Sequence, residues 1–187
     1  MPEVARPDTH IALLRGINVG GKNRLPMKSL GALFTDAGCT DVQTYIQSGN
    51  VVFAATPSLA RRIPVVIEKA ISAQFGLRIP IVTRSAAELR EVVKRNPYLP
   101  GESDTSRLHV AFLAAKPTPS KVAALDPDHS PLDEFAVHGR EIYLRLPNGV
   151  ARTKLTNAHF DSKLGTTSTL RNWRTVVKLV ELTDPRP

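Results

Sequence analysis

The feature that most constrains the fold is a short apolar run that stops at a glycine-rich, cationic segment. Residues 11–14 are all apolar and predict a buried β-strand. Residues 15–24 then read RGINVGGKNR. Glycine lets backbone N–H groups converge without a Cβ in the way, and lysine and arginine add positive charge. The sequence therefore predicts a strand that ends in a turn able to cradle an anion.

The rest of the first half alternates between helical and strand patterns. The patterns predict a helix from Pro26, a hairpin of residues 42–47 and 51–54, a helix from near Ile63 to residue 74, a strand at 77–83 and a helix from Ser85. Pro64 places the regular part of the second helix near Ile63, or requires a kink. Pro80 indicates that the strand at 77–83 lies at a sheet edge.

The second half repeats this order with one difference at its end. Its patterns predict a strand at 108–114, a helix at 119–125, a hairpin of residues 135–138 and 141–146, and helices at 153–164 and 170–182. We therefore predict an α+β protein of two ferredoxin-like subdomains packed together. Residues 1–98 form the first (βαββαβα), 99–106 a linker, and 107–187 the second (βαββαα). Exchange of edge strands between the subdomains is left open.

Charge is the strongest compositional signal. The chain of 187 residues has 25 lysines and arginines against 17 acidic residues, a net charge of +8. Residues 15–28 hold four basic residues and no acidic one, and residues 140–178 hold eight basic and two acidic. Such a balance favours an acidic partner, and a solvated basic surface explains it equally well.

The location of the protein is inferred from features that the sequence lacks. Cys39 is the single cysteine, so no disulfide forms within the chain. No apolar run approaches the roughly 20 residues that span a bilayer, and residues 1–10 lack the apolar segment of a signal peptide. We expect a cytoplasmic protein without a membrane partner.

Residues 16–23, GINVGGKN, come close to a phosphate-binding P-loop motif. The motif requires Ser or Thr where this chain has Asn23, and a helix that begins at the lysine, whereas the predicted helix begins at Pro26. A P-loop is therefore rejected. Two interpretations remain equally open, a simpler anion-binding loop and a tight turn whose glycines serve backbone geometry.

Residues 47–50, QSGN, lie where the first hairpin turns. Ser-Gly and Gly-Asn pairs are ordinary turn chemistry, which favours a structural role. The alternative hypothesis is that Gln47, Ser48 and Asn50 form hydrogen bonds with a molecule held by the first loop.

Four segments resemble the bacterial family called domain of unknown function 1697. They read LLRGINVGGKNR, TYIQSGNVVF, KLTN and TLRNWRTVVKL, and the resemblance extends over about residues 10–179. It implies two similar α+β subdomains packed together and names no reaction. The chain departs from the family pattern at Thr153, where the family often has Ser, and at Arg174, where it often has Asn.

The polar residues of these segments form the predicted ligand site, in a cleft between the two halves. An anion or phosphate ester is the preferred ligand class, because amide, hydroxyl and cationic groups recognise it. The candidate residues are Arg15, Asn18, Gly20, Gly21, Lys22, Gln47, Ser48, Asn50, Lys154, Thr156, Asn157, Arg171 and Asn172.

Catalytic patterns are absent from the sequence. The five histidines are scattered without metal-ligand spacing, and no paired carboxylates or nucleophile elbow occur near the basic segments. We assign no catalytic residue, metal or cofactor. Two other functions stay open, a nucleic-acid-binding protein with a basic surface and a structural or interaction module without a ligand. An oligomeric state does not follow from the sequence.

Overall fold

The computed structural model describes residues 7–184, which fall into two compact units. The first unit comprises residues up to 89 together with those from 179 onward, and the second comprises residues 90–178. Each unit holds one four-stranded antiparallel sheet with its helices. The predicted α+β class with two similar subdomains is confirmed. The exchange of edge strands does not occur among the described residues, because each sheet uses strands of its own segment only.

The first unit has the βαββαβ order of a ferredoxin-like fold. Its elements are β1 (Asp8–Leu14), α1 (Met27–Asp36), β2 (Thr40–Tyr45), β3 (Asn50–Ala55), α2 (Pro57–Phe75) and β4 (Ile81–Ser85), followed by α3 (Ala86–Lys94). The strand order is β2-β3-β1-β4, so β4 lies at an edge, as the position of Pro80 predicted.

The core of the first unit lies between one face of this sheet and the helices α1 and α2. Strand residues alternate between faces, and this core takes residues 12 and 14 from β1 and residues 51, 53 and 55 from β3. Cys39 belongs to the same cluster and is only 3% exposed. Burial raises the pKa of its thiol to about 11.

Helix α2 begins at Pro57, so the prediction of a regular helix from near Ile63 was wrong. Thr56 caps the helix by accepting a hydrogen bond from the Leu59 amide at 3.4 Å, and Pro57 suits the first helical position. Pro64 costs about 3 kcal/mol inside a helix. Buried residues on both sides of it, at 60, 63, 67 and 71, hold the helix together across this point.

The second unit repeats the same order of elements. It contains β5 (Leu108–Leu113), α4 (Pro119–Ala123), β6 (Glu134–His138), β7 (Glu141–Arg145), α5 (Asn157–Leu164), β8 (Ser168–Asn172) and the first part of α6 (Trp173–Thr183), whose residues from 179 onward belong to the first unit. The strand order β6-β7-β5-β8 matches that of the first sheet. No helix within residues 7–184 combines the length and the apolar character needed to cross a bilayer.

Strand β8 corrects the prediction of a helix over residues 170–182. Residues 168–172 pair with β5, and α6 begins only at Trp173. Thr169 is therefore a strand residue, and Asn172 caps α6 by accepting a hydrogen bond from the Thr175 amide at 2.8 Å. The strand runs into the helix without a glycine or proline between them, so the sequence marks no boundary. The second unit thus reads βαββαβα.

The two units correspond residue by residue around their first strands. β1 contains the sequence HIALL from His10 to Leu14, and β5 contains HVAFL from His109 to Leu113. Ile11 pairs with Arg84 on β4, and Val110 pairs with Arg171 on β8. Arg84 and Arg171 are both buried. The sequence indicated only a weak similarity between the two halves, because the identical positions are few and lie on separate strands.

Candidate functional site

The loop of residues 15–26, between β1 and α1, is a compact structure of its own. Gly20 and Gly21 have φ angles of 56° and 75°, and the Lys22 amide donates to the Val19 carbonyl at 3.0 Å. Two consecutive left-handed residues in a four-residue turn are typical of a type I′ turn, which glycine forms at least cost. The tight-turn interpretation therefore describes the backbone of this loop.

Asn18 fastens the loop to the neighbouring hairpin turn. Its Nδ2 donates hydrogen bonds to the carbonyls of Leu25 and Gln47, both at 2.9 Å. Its Oδ1 accepts from the Leu25 amide, also at 2.9 Å. The side chain of Asn18 is thus occupied by the backbone on both sides, and its role in the structure is to hold the loop closed.

The turn at residues 46–49 lies directly beneath the end of β1. The Leu14 amide donates to the Gly49 carbonyl at 2.8 Å. Gly49 has φ of 81°, and a Cβ there would lie 2.7 Å from the Leu14 Cβ and 2.9 Å from the Ile17 Cδ1. Only glycine fits this close approach.

Asn50 is fully buried and braces the same turn. Its Nδ2 donates to the Tyr45 carbonyl at 3.2 Å and to the Ser48 hydroxyl at 3.0 Å. These contacts give Ser48 and Asn50 the structural role that ordinary turn chemistry predicts.

Left-handed backbone conformations are concentrated in these two turns. Five of the eight residues 16–23 have positive φ, and Ile46 and Gly49 add two more. Ile46 is β-branched and 48% exposed, with φ of 48°. A β-branched residue in this region is an outlier, and such strain persists only where surrounding contacts impose it.

A cavity of about 360 Å³ opens between the loop and the turn. Its lining consists of Asn18, Gly21, Arg24, Leu25, Pro26 and Gln47. Arg24 and Gln47 have exposed side chains, as does Lys22 beside Gly21, and none of the three side chains forms a hydrogen bond or ion pair within residues 7–184. Arg24 was missing from the predicted site, although its charge in the same loop was the signal that could have identified it.

The predicted residues of the second unit serve its local structure. Thr156 caps α5 by accepting from the His159 amide at 3.2 Å. The Oδ1 of Asn157 accepts from the Ser168 hydroxyl at 3.1 Å, and Asn172 caps α6. Lys154 donates its backbone amide to the Ser130 hydroxyl at 3.0 Å, and the residue is exposed. That these residues share a ligand with the loop of the first unit stays a prediction.

Arg171 is a buried guanidinium. Its Nη1 donates to the Thr169 hydroxyl and to the Leu170 carbonyl, both at 2.9 Å. Burial lowers the pKa of Arg171 to about 10, so the side chain stays charged at neutral pH. Its position matches that of Arg84 in the first unit, which indicates a structural role common to both sheets.

Two of the histidines that are scattered in the sequence come together in the second unit. The rings of His129 and His159 stack with centroids 3.9 Å apart and planes 12° from parallel. Burial lowers the pKa of His159, the charges of His129 and Lys163 lower it further, and Asp126 opposes them. No group of three or more metal-ligating side chains occurs in the described part of the chain.

Comparisons with known proteins give a family and a fold. A family model described as a protein of unknown function (DUF1697) matches residues 8–143. The solved structure of the conserved bacterial protein SP0830 from Streptococcus pneumoniae is similar, with a TM-score of 0.72 and 21% identity. The similarity covers 95% of this chain and 99% of that one, and at this identity it shows the fold alone. No curated protein matches the chain.

Proposed function

Since the chain belongs to the DUF1697 family, as the resemblance predicted, and that family's function is unknown, we propose a function from the site itself. The protein binds a small phosphate- or carboxylate-bearing ligand at the cavity between loop 15–26 and turn 46–49. The observation that carries this proposal is a fixed cavity beside which cationic and amide side chains have no structural task.

The charge around the cavity supports an anionic ligand. Lys22 and Arg24 are exposed, and no acidic residue lies within residues 15–28 to neutralise them. An arginine presents a planar set of donors that matches a phosphate or carboxylate with two hydrogen bonds. The amide of Gln47 adds a neutral donor on the other side of the cavity.

The backbone of the loop supports the same ligand class. The N–H groups of Gly20 and Gly21 donate to no residue in the described range 7–184. Exposed N–H groups in turns with left-handed residues form concave sites that attract anions. The strain in the two turns also has a role under this proposal, because it holds the donors in place before the ligand arrives.

The test is calorimetric titration of the full chain with inorganic phosphate, a sugar phosphate, a nucleoside monophosphate and citrate. We expect saturable binding of at least one, and a loss of about tenfold or more in affinity in the K22A/R24A variant, because each charge-assisted hydrogen bond contributes about 1.5–3 kcal/mol. K116A/R152A is the matched control, since it removes two exposed charges from the second unit. Equal losses in the two variants contradict the proposal.

A salt titration with duplex DNA and with RNA separates the alternative functions. Nucleic-acid binding by the +8 chain would weaken steeply with salt and would depend on both pairs of cations. If that behaviour occurs without competition by small anions, the nucleic-acid function replaces the one proposed. If no anion of either kind binds, the loop serves only the structure.

A further inference from the structure

Segment 126–133, between α4 and β6, is attached through side chains to α5 and to the residues before it. Ser130 is buried, and its hydroxyl accepts a hydrogen bond from the Lys154 amide at 3.0 Å. The preceding residue, His129, stacks its ring on that of His159 in the first turn of α5. Both histidines are half-buried, so protons from the solvent can reach them. The segment is therefore held by a hydrogen bond and, one residue away, by a pair of titratable rings.

The next residues of the segment form a turn that does not suit their sequence. The Asp133 amide donates to the Ser130 carbonyl at 3.1 Å, and Leu132 has φ of 75°. This hydrogen bond, with a positive φ at the third residue, is typical of a type II turn, which favours glycine or asparagine at that residue. Leu132 is a bulky residue instead, and it is 74% exposed. Such a conformation persists only where neighbouring contacts impose it, so the turn depends on the attachment of Ser130.

Protonation changes the interaction between the two rings. Neutral imidazole rings stack through their faces, and one protonated ring is still attracted to the π face of the other. Two protonated rings place two positive charges on rings whose centroids are 3.9 Å apart. Like charges at this separation disfavour each other, so the stacked arrangement opposes the second proton.

The surroundings of His159 act in the same direction. Burial lowers the pKa of His159, and the charges of His129 and Lys163 lower it further. The charge of Asp126 opposes this shift. The positive end of the α5 dipole also disfavours a charged ring in the first turn. The further charged residues of the segment and of the elements beside α5 are Lys121, Asp128, Asp133, Glu134, Lys154 and Asp161.

We propose that His129 and His159 form a pH-sensitive latch. While at least one ring is neutral, the rings stack and segment 126–133 stays closed on α5. Protonation of both rings releases the segment, separates Ser130 from the Lys154 amide and exposes the side of α5 that carries the second ring. All of these residues belong to the second unit, so the latch does not depend on the anion cavity of the first unit.

The test is hydrogen exchange of the full chain, measured by NMR at pH 7, 6 and 5. We expect the protection of the Lys154 amide to fall by about tenfold between pH 7 and pH 5, because the open state binds more protons than the closed state. The series ends at pH 5, where carboxylates are still ionised and the titration of histidine dominates. Amides in the centre of β5 should lose less protection than the Lys154 amide, which distinguishes release of the segment from unfolding of the unit.

The variants H129F and H159F each keep an aromatic ring in the stack and remove one of its two titratable groups. Each should retain most of the protection of the Lys154 amide at pH 5, because two positive charges can no longer meet. The matched control is H138F, which makes the same change at an exposed histidine at the end of β6 and should behave as the natural chain does. The proposal is overturned if the natural chain protects the Lys154 amide equally at pH 7 and pH 5, or if either ring variant loses as much protection as H138F.

Discussion

The two units share one sheet topology and differ most in the connections after their first strands. In the first unit 12 residues, 15–26, connect β1 to α1, whereas five residues, 114–118, connect β5 to α4. The hairpin turns differ in the same way, with four residues at 46–49 against two at 139–140. Seven left-handed residues lie in the two connections of the first unit and one, Gly139, in those of the second.

The comparison shows which connecting segments the fold requires and which segments of the first unit are longer than the fold requires. The second unit shows that the sheet, its caps and its buried arginine need only short connections. The long loop and strained turn of the first unit exceed that requirement, and they surround the cavity proposed to bind an anion. A pair of units within one chain therefore provides its own internal control.

The largest expected effect concerns the two glycines at the hairpin turns. G49A should destabilise the protein by about 3 kcal/mol, because strained φ and close contacts with Leu14 and Ile17 both oppose a Cβ. G139A should cost about 1 kcal/mol, since its Cβ would meet nothing closer than 3.9 Å and only the φ of 60° opposes it. Urea unfolding of both variants measures the difference, and equal costs would remove the contrast between the turns.

The next effect tests the fastening of the loop. N18A removes donors to the Leu25 and Gln47 carbonyls and the acceptor of the Leu25 amide, so a loss of about 2 kcal/mol is expected. N18D restores the acceptor alone and should recover only part of the loss. Thermal unfolding of the two variants provides the measurement. A loss below about 0.5 kcal/mol in N18A would show that the loop does not depend on this side chain.

Equal effects are expected where the two units are alike. Ser85 accepts from the Glu88 amide at 3.1 Å and Asn172 from the Thr175 amide at 2.8 Å, each at the start of the helix after the fourth strand. S85A and N172A should each cost about 1 kcal/mol in unfolding free energy. Urea unfolding of the two variants provides the comparison. A clear inequality between them would mean that the caps, like the loops, have diverged between the units.

The smallest effect is the dependence of stability on pH. Burial lowers the pKa of His10, which Asp8 and Glu88 partly oppose, and burial also lowers the pKa of His109, against which the Arg107 carbonyl acts. The unfolded state then binds protons more readily than the folded state. The contribution of these two histidines to the free energy of unfolding should therefore be complete above about pH 6.5, and it should decrease as the pH drops below this value.

The variant H10Q/H109Q provides the check on this pH dependence. Its unfolding free energy should fall less between pH 7 and pH 5 than that of the natural chain, since two of the groups that gain protons on unfolding are gone. An unchanged slope would assign the acid sensitivity to other groups, of which His159 is one.

Much of the fold could be predicted because local patterns agree with it. The first strand follows from its apolar run, both hairpins follow from the turn residues between their strands, and the start of α3 follows from its cap residue Ser85. Strand β8 could not be predicted in this way. Its residues continue into α6 without a break, and its strand conformation depends on pairing with β5, about 60 residues earlier in the chain.

In the candidate site, too, local features could be predicted from the sequence, whereas features that depend on distant residues could not. The charges of Lys22 and Arg24 and the turn formed by Gly20 and Gly21 are visible in a few consecutive letters of sequence. The structural role of Asn18 cannot be predicted from the local sequence, because one of its hydrogen-bond partners is 29 residues away on another turn. Sequence reasoning therefore pointed to the segments that surround the proposed anion site, and it could not distinguish the side chains that hold the loop closed from those that form no hydrogen bond or ion pair within residues 7–184.

The single cysteine, Cys39, is a natural probe of local unfolding in the first unit. A thiol that is 3% exposed, with its pKa raised to about 11, reacts with a thiol-specific label only when its surroundings open. The labelling rate of Cys39 therefore measures how often the core beneath α1 opens. The second unit contains no cysteine and does not contribute to this signal. A ligand that stabilises the first unit would slow the labelling of Cys39, so labelling can detect binding before the ligand is identified.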